Sequence, residues 1–407
     1  MRTVMRTASA AALLSVAALL VGAASQPLEA HKPITSPYTF NEDVFPILRD
    51  RCGACHVAGG VAPMALTTAE ETVPWGESIR LELIAGHMPP WAATSNGTRL
   101  RHGEGLTARE LDVLLTWVTG GAPPGAPEKA PPALTPGRDW PLGAPDVALP
   151  LPEVTLATSD AETTREFILP LGAAASRPLR AVDLLPGTPA VVRSARVSVR
   201  GAGASADVER TLAVWVPGDA PVALTAEAAF AAPADGQLVV RVHYKKTWQH
   251  EREVMIDRSA VGLYFAPERA ESLRAWPVLV PGGATPPAPA AGVTSGVVFG
   301  RVLDADVRAM AIYPTEAIAG ATVTVDAVVP SGMRQRVIGF TPRPGWERRY
   351  WFETPLEWPR GTRLEIALAF DAEGSSPPSD ATPAGRVPPP AGTPLLIINT
   401  IPSASPR

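Results

Sequence analysis

"RDRCGACHVAGG", residues 49–60, holds Cys52 and Cys55, the two cysteines of a 407-residue chain, with His56 directly after the second. Thiols three positions apart cannot staple distant parts of a fold. Cys-x-x-Cys-His is the spacing at which c-type haem is attached: each thiol adds to a haem vinyl group, and the following imidazole ligates the iron. Two other readings use the same residues. A thioredoxin-like redox pair needs a strand–helix setting that the flanking sequence lacks. A zinc site needs a second ligand pair, and the chain has no further cysteine. The expectation is therefore one covalent haem c on Cys52 and Cys55, with His56 as an axial ligand.

Working outward, three Thr-x-x-Glu capping boxes are readable at Thr39/Glu42, Thr67/Glu70 and Thr107/Glu110. Phe40, Val44, Ile47 and Leu48 follow the first at helical spacing, and Leu111, Leu114, Leu115 and Val118 follow the third. Between them, Pro74 delays a less regular segment whose apolar face is Ile79, Leu83 and Ile84. Gly120-Gly121 supplies the stop of the closing helix. The sixth iron ligand is expected at Met88, in the proline-stiffened "AGHMPPW" loop, where a thioether favours ferrous iron and Trp91 can pack on the porphyrin. His87 is the nearest competitor, Met64 and His102 are more distant ones, and a gap-filling core role is the alternative for Met88.

The N-terminus has the layout of a secretory signal: Arg2 and Arg6, then an apolar run from about Ala8 to Ala24, then small residues up to Ala30. Residues 1–30 are expected to be a signal peptide, so the mature chain is expected in the periplasm or secreted medium. The apolar run is short for a membrane span, and no later stretch offers 18 unbroken apolar residues, so no span is expected in the mature chain. A net charge of −4 gives no basic footprint for nucleic acid. With 46 prolines and 34 glycines, the chain should be rich in short strands and turns.

Residues 121–138 are proline-rich, and 126–138 are expected to link a haem-bearing region, 31–125, to a strand-rich remainder. In that remainder, short alternating apolar runs such as "AVVRSARVSVR", "QLVVRVHY" and "RLEIALAF" read as strands. A break at 280–292 divides them into two groups, 139–280 and 293–400. The fold class expected is a small all-α cytochrome c domain followed by two all-β antiparallel sandwich domains. Among other chemical motifs, there is no phosphate-cradling glycine loop, GxSxG or HExxH. Asn96-Gly97-Thr98 matches a glycosylation sequon, a pattern common by chance.

Residues 31–125 resemble the c-type cytochrome domain that precedes copper-dependent monooxygenase-like modules in some bacterial exported proteins. The resemblance rests on CGACH, "GGVAPMAL", "PWGESIR", "MPPW" and "LLTWVTGGAPPG". Most of 139–375 is similar to the two-domain fold of ascorbate-dependent copper type II monooxygenases. It is carried by "DWPLGAPDVALPLPE", "RAVDLLPGTPAVVRSARV", "VWVPG", the stretch from "LVVRVHYKK" to "VGLYFA", "IYPTEAIAGATVTVDAVV" and "WERRYWFETPLEW". The resemblance implies two coppers held by histidines and one methionine. Here Arg193 and Ser194 occupy the positions of an adjacent His pair, and only His243 survives from the first site. Thr315 and Ala317 replace the second site's His-x-His, and Met333 lies in an unrelated turn. Downstream of the haem region the histidines are His243 and His250, both in the first group. A guanidinium cannot donate a lone pair to copper, so no copper is expected. The function expected is an exported monohaem cytochrome passing single electrons to an unidentified redox partner, its copper-free module serving as dock or scaffold. A haem-fed copper monooxygenase is the alternative, and a pure interaction protein with a structural haem is a third.

Overall fold

A computed structural model of the chain describes residues 35–90, 93–94, 98–102, 105–132, 134–135, 137, 139–201, 209–279, 295–315, 321–343, 345–370 and 392–403. Residues 1–30, expected to be a signal peptide, and Trp91, Asn96-Gly97, 280–292 and Ala317 lie outside these residues. Strand dominates. Among the described residues, twenty strand segments stand against α-helices at Phe45–Arg51, Ala69–Thr72, Gly76–Ile84 and Ala108–Thr119, the last being the longest at 12 residues.

The helices gather on a small core of Phe40, Val44, Phe45, Leu48, Leu66, Leu83, Val113, Leu114 and Trp117. Phe40 stacks obliquely on Phe45 and on Trp117, with ring centroids 6.1 and 5.9 Å apart. The Thr107 box forms as expected: Thr107 Oγ1 accepts from Glu110 N at 3.1 Å, and Glu110 Oε2 accepts from Thr107 N at 2.7 Å. The other two boxes differ from the sequence reading. Thr68, not Thr67, caps Ala69–Thr72 by accepting from Glu71 N. At Thr39 the returning acid is Asp43, while Glu42 pairs with Lys129.

The expected fold class is not met, because this region is no separate all-α domain. Ala93–Thr94 is an edge strand that pairs antiparallel with Phe340 and Gly339. Leu100 bridges to Phe352, Arg101 N donates to Trp351 O at 2.9 Å, and Glu353 N donates to Arg99 O at 2.9 Å. Residues 93–94 and 99–101 are thus tied to strands far along the chain. Helical spacing reports neighbours three and four residues away, and it is blind to a partner strand 245 positions later.

The sheets pack in sandwich-like fashion. In the first set, four antiparallel strands run in the order Glu162–Pro170, Gly236–Lys245, Val192–Gly201, Arg210–Trp215. Their apolar face meets a three-stranded sheet of Val147–Pro150, Ala260–Phe265 and Leu179–Leu185, over a core that includes Val197, Val240, Leu184 and Leu263. In the second set, a five-stranded sheet runs Ala93–Thr94, Arg334–Phe340, Thr322–Val328, Arg363–Phe370, Ser295–Val302. Its partner runs Arg274–Leu279, Pro394–Pro402, Val307–Pro314, Tyr350–Trp358. Along Thr322–Val328 the alternation is strict: Val323, Val325 and Ala327 are buried, as a half-covered strand requires. The pairing is not all antiparallel, since Glu271–Ser272 runs parallel to Ala228–Ala229.

The two sets interlock. Met310 and Ile401, from the second set's strands, enter the first set's core. Arg349, 4% exposed, donates to Leu212 O at 2.7 Å and Thr211 O at 2.9 Å, and its guanidinium lies 5.4 Å from the Trp351 ring. Burial lowers its pKa from the usual arginine value, and the two carbonyls supply acceptors that water would otherwise provide.

Candidate functional site

Cys52 terminates the helix Phe45–Arg51, its N–H returning to Leu48 O at 2.9 Å. Cys55 N and His56 N both donate to Cys52 O, at 3.0 and 2.9 Å, so one backbone turn carries both thiols and the imidazole. Gly53 is required inside it, because a Cβ there would stand 2.7 Å from Arg49 O. Gly60 is required just beyond, where a Cβ would meet Cys55 O at 2.5 Å.

The electrostatics separate the three side chains' roles. Both thiols are free, and burial pushes each up to about 12. They are protonated at neutral pH, unlike the activated thiolate of a dithiol redox enzyme. His56 Nδ1 lies 3.2 Å from Met64 O. A carbonyl only accepts, so Nδ1 carries the proton in the neutral ring and Nε2 keeps its lone pair. Burial lowers the His56 pKa and favours that neutral form.

The other candidates lie around the Gly76–Ile84 helix and its exit loop. Met88, in the loop after that helix, is 38% exposed, and Leu81 and Ile84, three residues apart on the helix, are 53% and 60% exposed. His87 Nδ1 is engaged by Glu82 Oε2 at 3.1 Å. Met64 packs against the helical core and serves His56 through its carbonyl. His102 has its pKa lowered by burial and by Arg348 and Arg101.

In the first sheet set, Ser194 pairs with His243 across neighbouring strands. His243 Nε2 and Glu162 Oε1 are 2.8 Å apart, and Lys245 Nζ donates to Glu162 Oε2 at 2.9 Å. The Arg193 guanidinium sits 5.2 Å from the Trp346 ring centroid. Its charge acts on Cys55, which brings residues 193 and 55 into one neighbourhood, and Cys55 Sγ reaches Pro217 O at 3.8 Å. Thr315 Oγ1 donates to Pro394 O at 2.5 Å, Met333 is exposed, and His250 pairs with Glu253. Among the described residues no group of three or more His, Cys, Asp or Glu side chains converges as a metal cluster.

Sequence reasoning missed the buried charges beside this turn. Asp183 lies on Leu179–Leu185 with 2% exposure, and Asp219, after Arg210–Trp215, accepts from Arg348 Nη2 at 2.5 Å. A lone Asp within the apolar run "AVDLL" was the available signal. Both acids line a cavity of about 430 Å³ that also touches Gly53 and Ala54. Among the described residues no helix is long and apolar enough to cross a membrane.

No family model matches the chain, and no curated protein matches it. Among solved structures, the tandem CBM22-1–CBM22-2 domain of Paenibacillus barcinonensis Xyn10C is 10% identical, covering 64% of this chain and 98% of its own, with a TM-score of 0.16. A structure of the infectious bursal disease virus Gx strain is 9% identical, covering 64% of this chain and 76% of its own, with a TM-score of 0.15. Likenesses this slight carry no functional argument.

Proposed function

We propose that the chain is an exported monohaem c-type cytochrome that carries single electrons, its β-rich remainder serving without copper as a dock or scaffold. The observation that carries this reading is the turn of Cys52, Cys55 and His56. Two protonated thiols precede an imidazole whose Nδ1–H is committed to Met64 O, which leaves Nε2 as the donor. Each S–H adds across a vinyl C=C, sulfur bonding one carbon and hydrogen the other, so attachment consumes no oxidant. A metal-bound histidine whose other nitrogen is held by a carbonyl is oriented and made more basic.

The remaining residues fit the same group. His56 and Met88 would hold the iron, Met88 being exposed in the loop that follows the Gly76–Ile84 helix. The haem would supply a one-electron iron couple near the surface, where a redox partner protein can approach. The signal-like N-terminus supports a periplasmic or secreted location. The copper monooxygenase alternative needs imidazoles where Arg193 lies over Trp346 and where Thr315 donates to Pro394 O. Neither side chain ligates copper.

Expression in a host with cytochrome maturation machinery tests the reading. The expected result is a haem stain that survives denaturing electrophoresis, with one iron and no stoichiometric copper by elemental analysis. A stain lost on denaturation, or two tightly bound coppers per chain, overturns it.

A further inference from the structure

The cavity beside the cysteine turn has an acid in its wall that no cation among the described residues neutralises. Gly53 and Ala54, the two residues between the thiols, line this space of about 430 Å³. Asp183, Trp215 and Asp219 line it as well. The two carboxylates differ in their company. Asp219 accepts a hydrogen bond from Arg348 at 2.5 Å, which makes it half of an ion pair. Asp183, with 2% exposure, accepts one hydrogen bond, from Leu184 N to Oδ1 at 2.8 Å. Among the described residues no donor reaches its Oδ2. A buried carboxylate without a cation holds its charge poorly.

The charged and titratable groups around it leave that imbalance in place. Arg180, on the same strand, lies 5.2 Å from the Tyr264 ring, and the Tyr264 hydroxyl donates to Gly143 O at 2.9 Å. Asp219 adds a like charge. Arg348 is held by Asp219, and Arg349 by the carbonyls of Leu212 and Thr211. Arg49 and Asp139 also line the cavity, with Arg49 paired to Asp50 at 2.6 Å. Burial, opposed by the Leu184 amide and reinforced by Asp219, lifts the Asp183 carboxyl to about 7.

We propose that Asp183 is a redox-linked proton site: it binds a proton from the cavity when the haem carried by Cys52 and Cys55 is reduced, and releases it on oxidation. This inference rests on the haem reading of the cysteine turn. The balance is simple. One electron from the redox partner converts ferric to ferrous iron, and one proton from cavity water converts the carboxylate to the acid. The two charges cancel, so the net charge of the region is unchanged. Reduction would remove a positive charge from the group carried by the neighbouring Cys52 and Cys55, which would raise the affinity of Asp183 for a proton. The cavity has room for on the order of a dozen waters, at about 30 Å³ each, to deliver it.

Redox titration of the haem-loaded full chain on both sides of neutrality tests the proposal. The midpoint potential is expected to fall as pH rises through neutrality and to level off at either end, and Asp183→Asn is expected to flatten the profile. The wild type's reduced-minus-oxidised infrared spectrum should also show a deuterium-sensitive protonated-carboxyl band on reduction, which keeps the test decisive if the variant does not fold. A flat wild-type profile, a slope that survives Asp183→Asn, or the absence of that band overturns the proposal. A chain that acquires no haem, visible from its absorption before any titration, fails the reading of the turn itself and this inference with it. A haem-bearing chain with a flat profile fails the proton site alone.

Discussion

Met88 differs from its neighbours in what already holds it. His87 is engaged by Glu82 and Met64 packs into the helical core, whereas the Met88 side chain stands exposed. In the haem-loaded chain, Met88→Ala should abolish the weak long-wavelength absorption of ferric iron bound to a thioether, and His87→Ala should leave it intact. A wild-type ferric spectrum that lacks the band, or a band that survives Met88→Ala, would overturn Met88 as the ligand. Asp183 leaves a second mark that needs no haem. Its carboxyl lies at about 7 in the fold against an ordinary 3.8, so the native state binds the proton more tightly than the unfolded chain. Its contribution to stability is full below the lower value and lost as pH rises through the upper one. Denaturant unfolding from about pH 4 to about pH 8 should therefore show stability falling with pH, less steeply in Asp183→Asn. Asp219, raised by burial to about 6, has the same sign and should leave a residual slope.

The helix Ala108–Thr119 was legible because everything that starts it lies within four residues. Thr107, Glu110 and the run Leu111, Leu114, Leu115 state a cap and a face in one short stretch. Thr107→Ala should cost about 1 kcal/mol in denaturant unfolding. Thr39→Ala should cost clearly less, because no helix N–H is bonded to the Thr39 side chain. Equal losses would mean that the box is not what holds the helix start. At the second box, "LTTAEET" offers two threonines and two acid spacings, so the local pattern leaves the register open by one residue. The strand Ala93–Thr94 carries no local signature, being two residues long with its partner far along the chain. The turn of the candidate site was readable for the same reason as the Thr107 helix, since its chemistry sits in five consecutive residues. The cavity beside it was not, since its walls come from separate parts of the sequence that only the folded sheets bring together.

Across the whole molecule, the proline-rich stretch acts less as a hinge than its composition suggests. Phe40 N donates to Pro123 O, Asn41 N to Pro124 O and Asn41 Nδ2 to Ala126 O, at 2.9, 3.1 and 2.8 Å, which straps the stretch across the first helical turn. The helical region is also fastened to the sheets by Ala93–Thr94, by Arg101 and by Cys55 against Pro217. Limited proteolysis within residues 121–138 should therefore yield fragments that elute together under native conditions and separate in denaturant. A haem-bearing fragment that elutes alone would restore an independent domain.

The strand Pro394–Pro402 lies inside its sheet, flanked by Arg274–Leu279 on one side and Val307–Pro314 on the other. A chain leaving the ribosome or a translocon amino end first presents both flanking strands long before the piece that joins them exists. Until those nine residues arrive, two rows of backbone N–H and C=O groups stand open as templates for a neighbouring chain. A stop codon shortly before Pro394 would leave two sticky edges where the folded protein has none at that seam. The cell's yield of intact molecule thus hangs on when this one strand arrives between its neighbours.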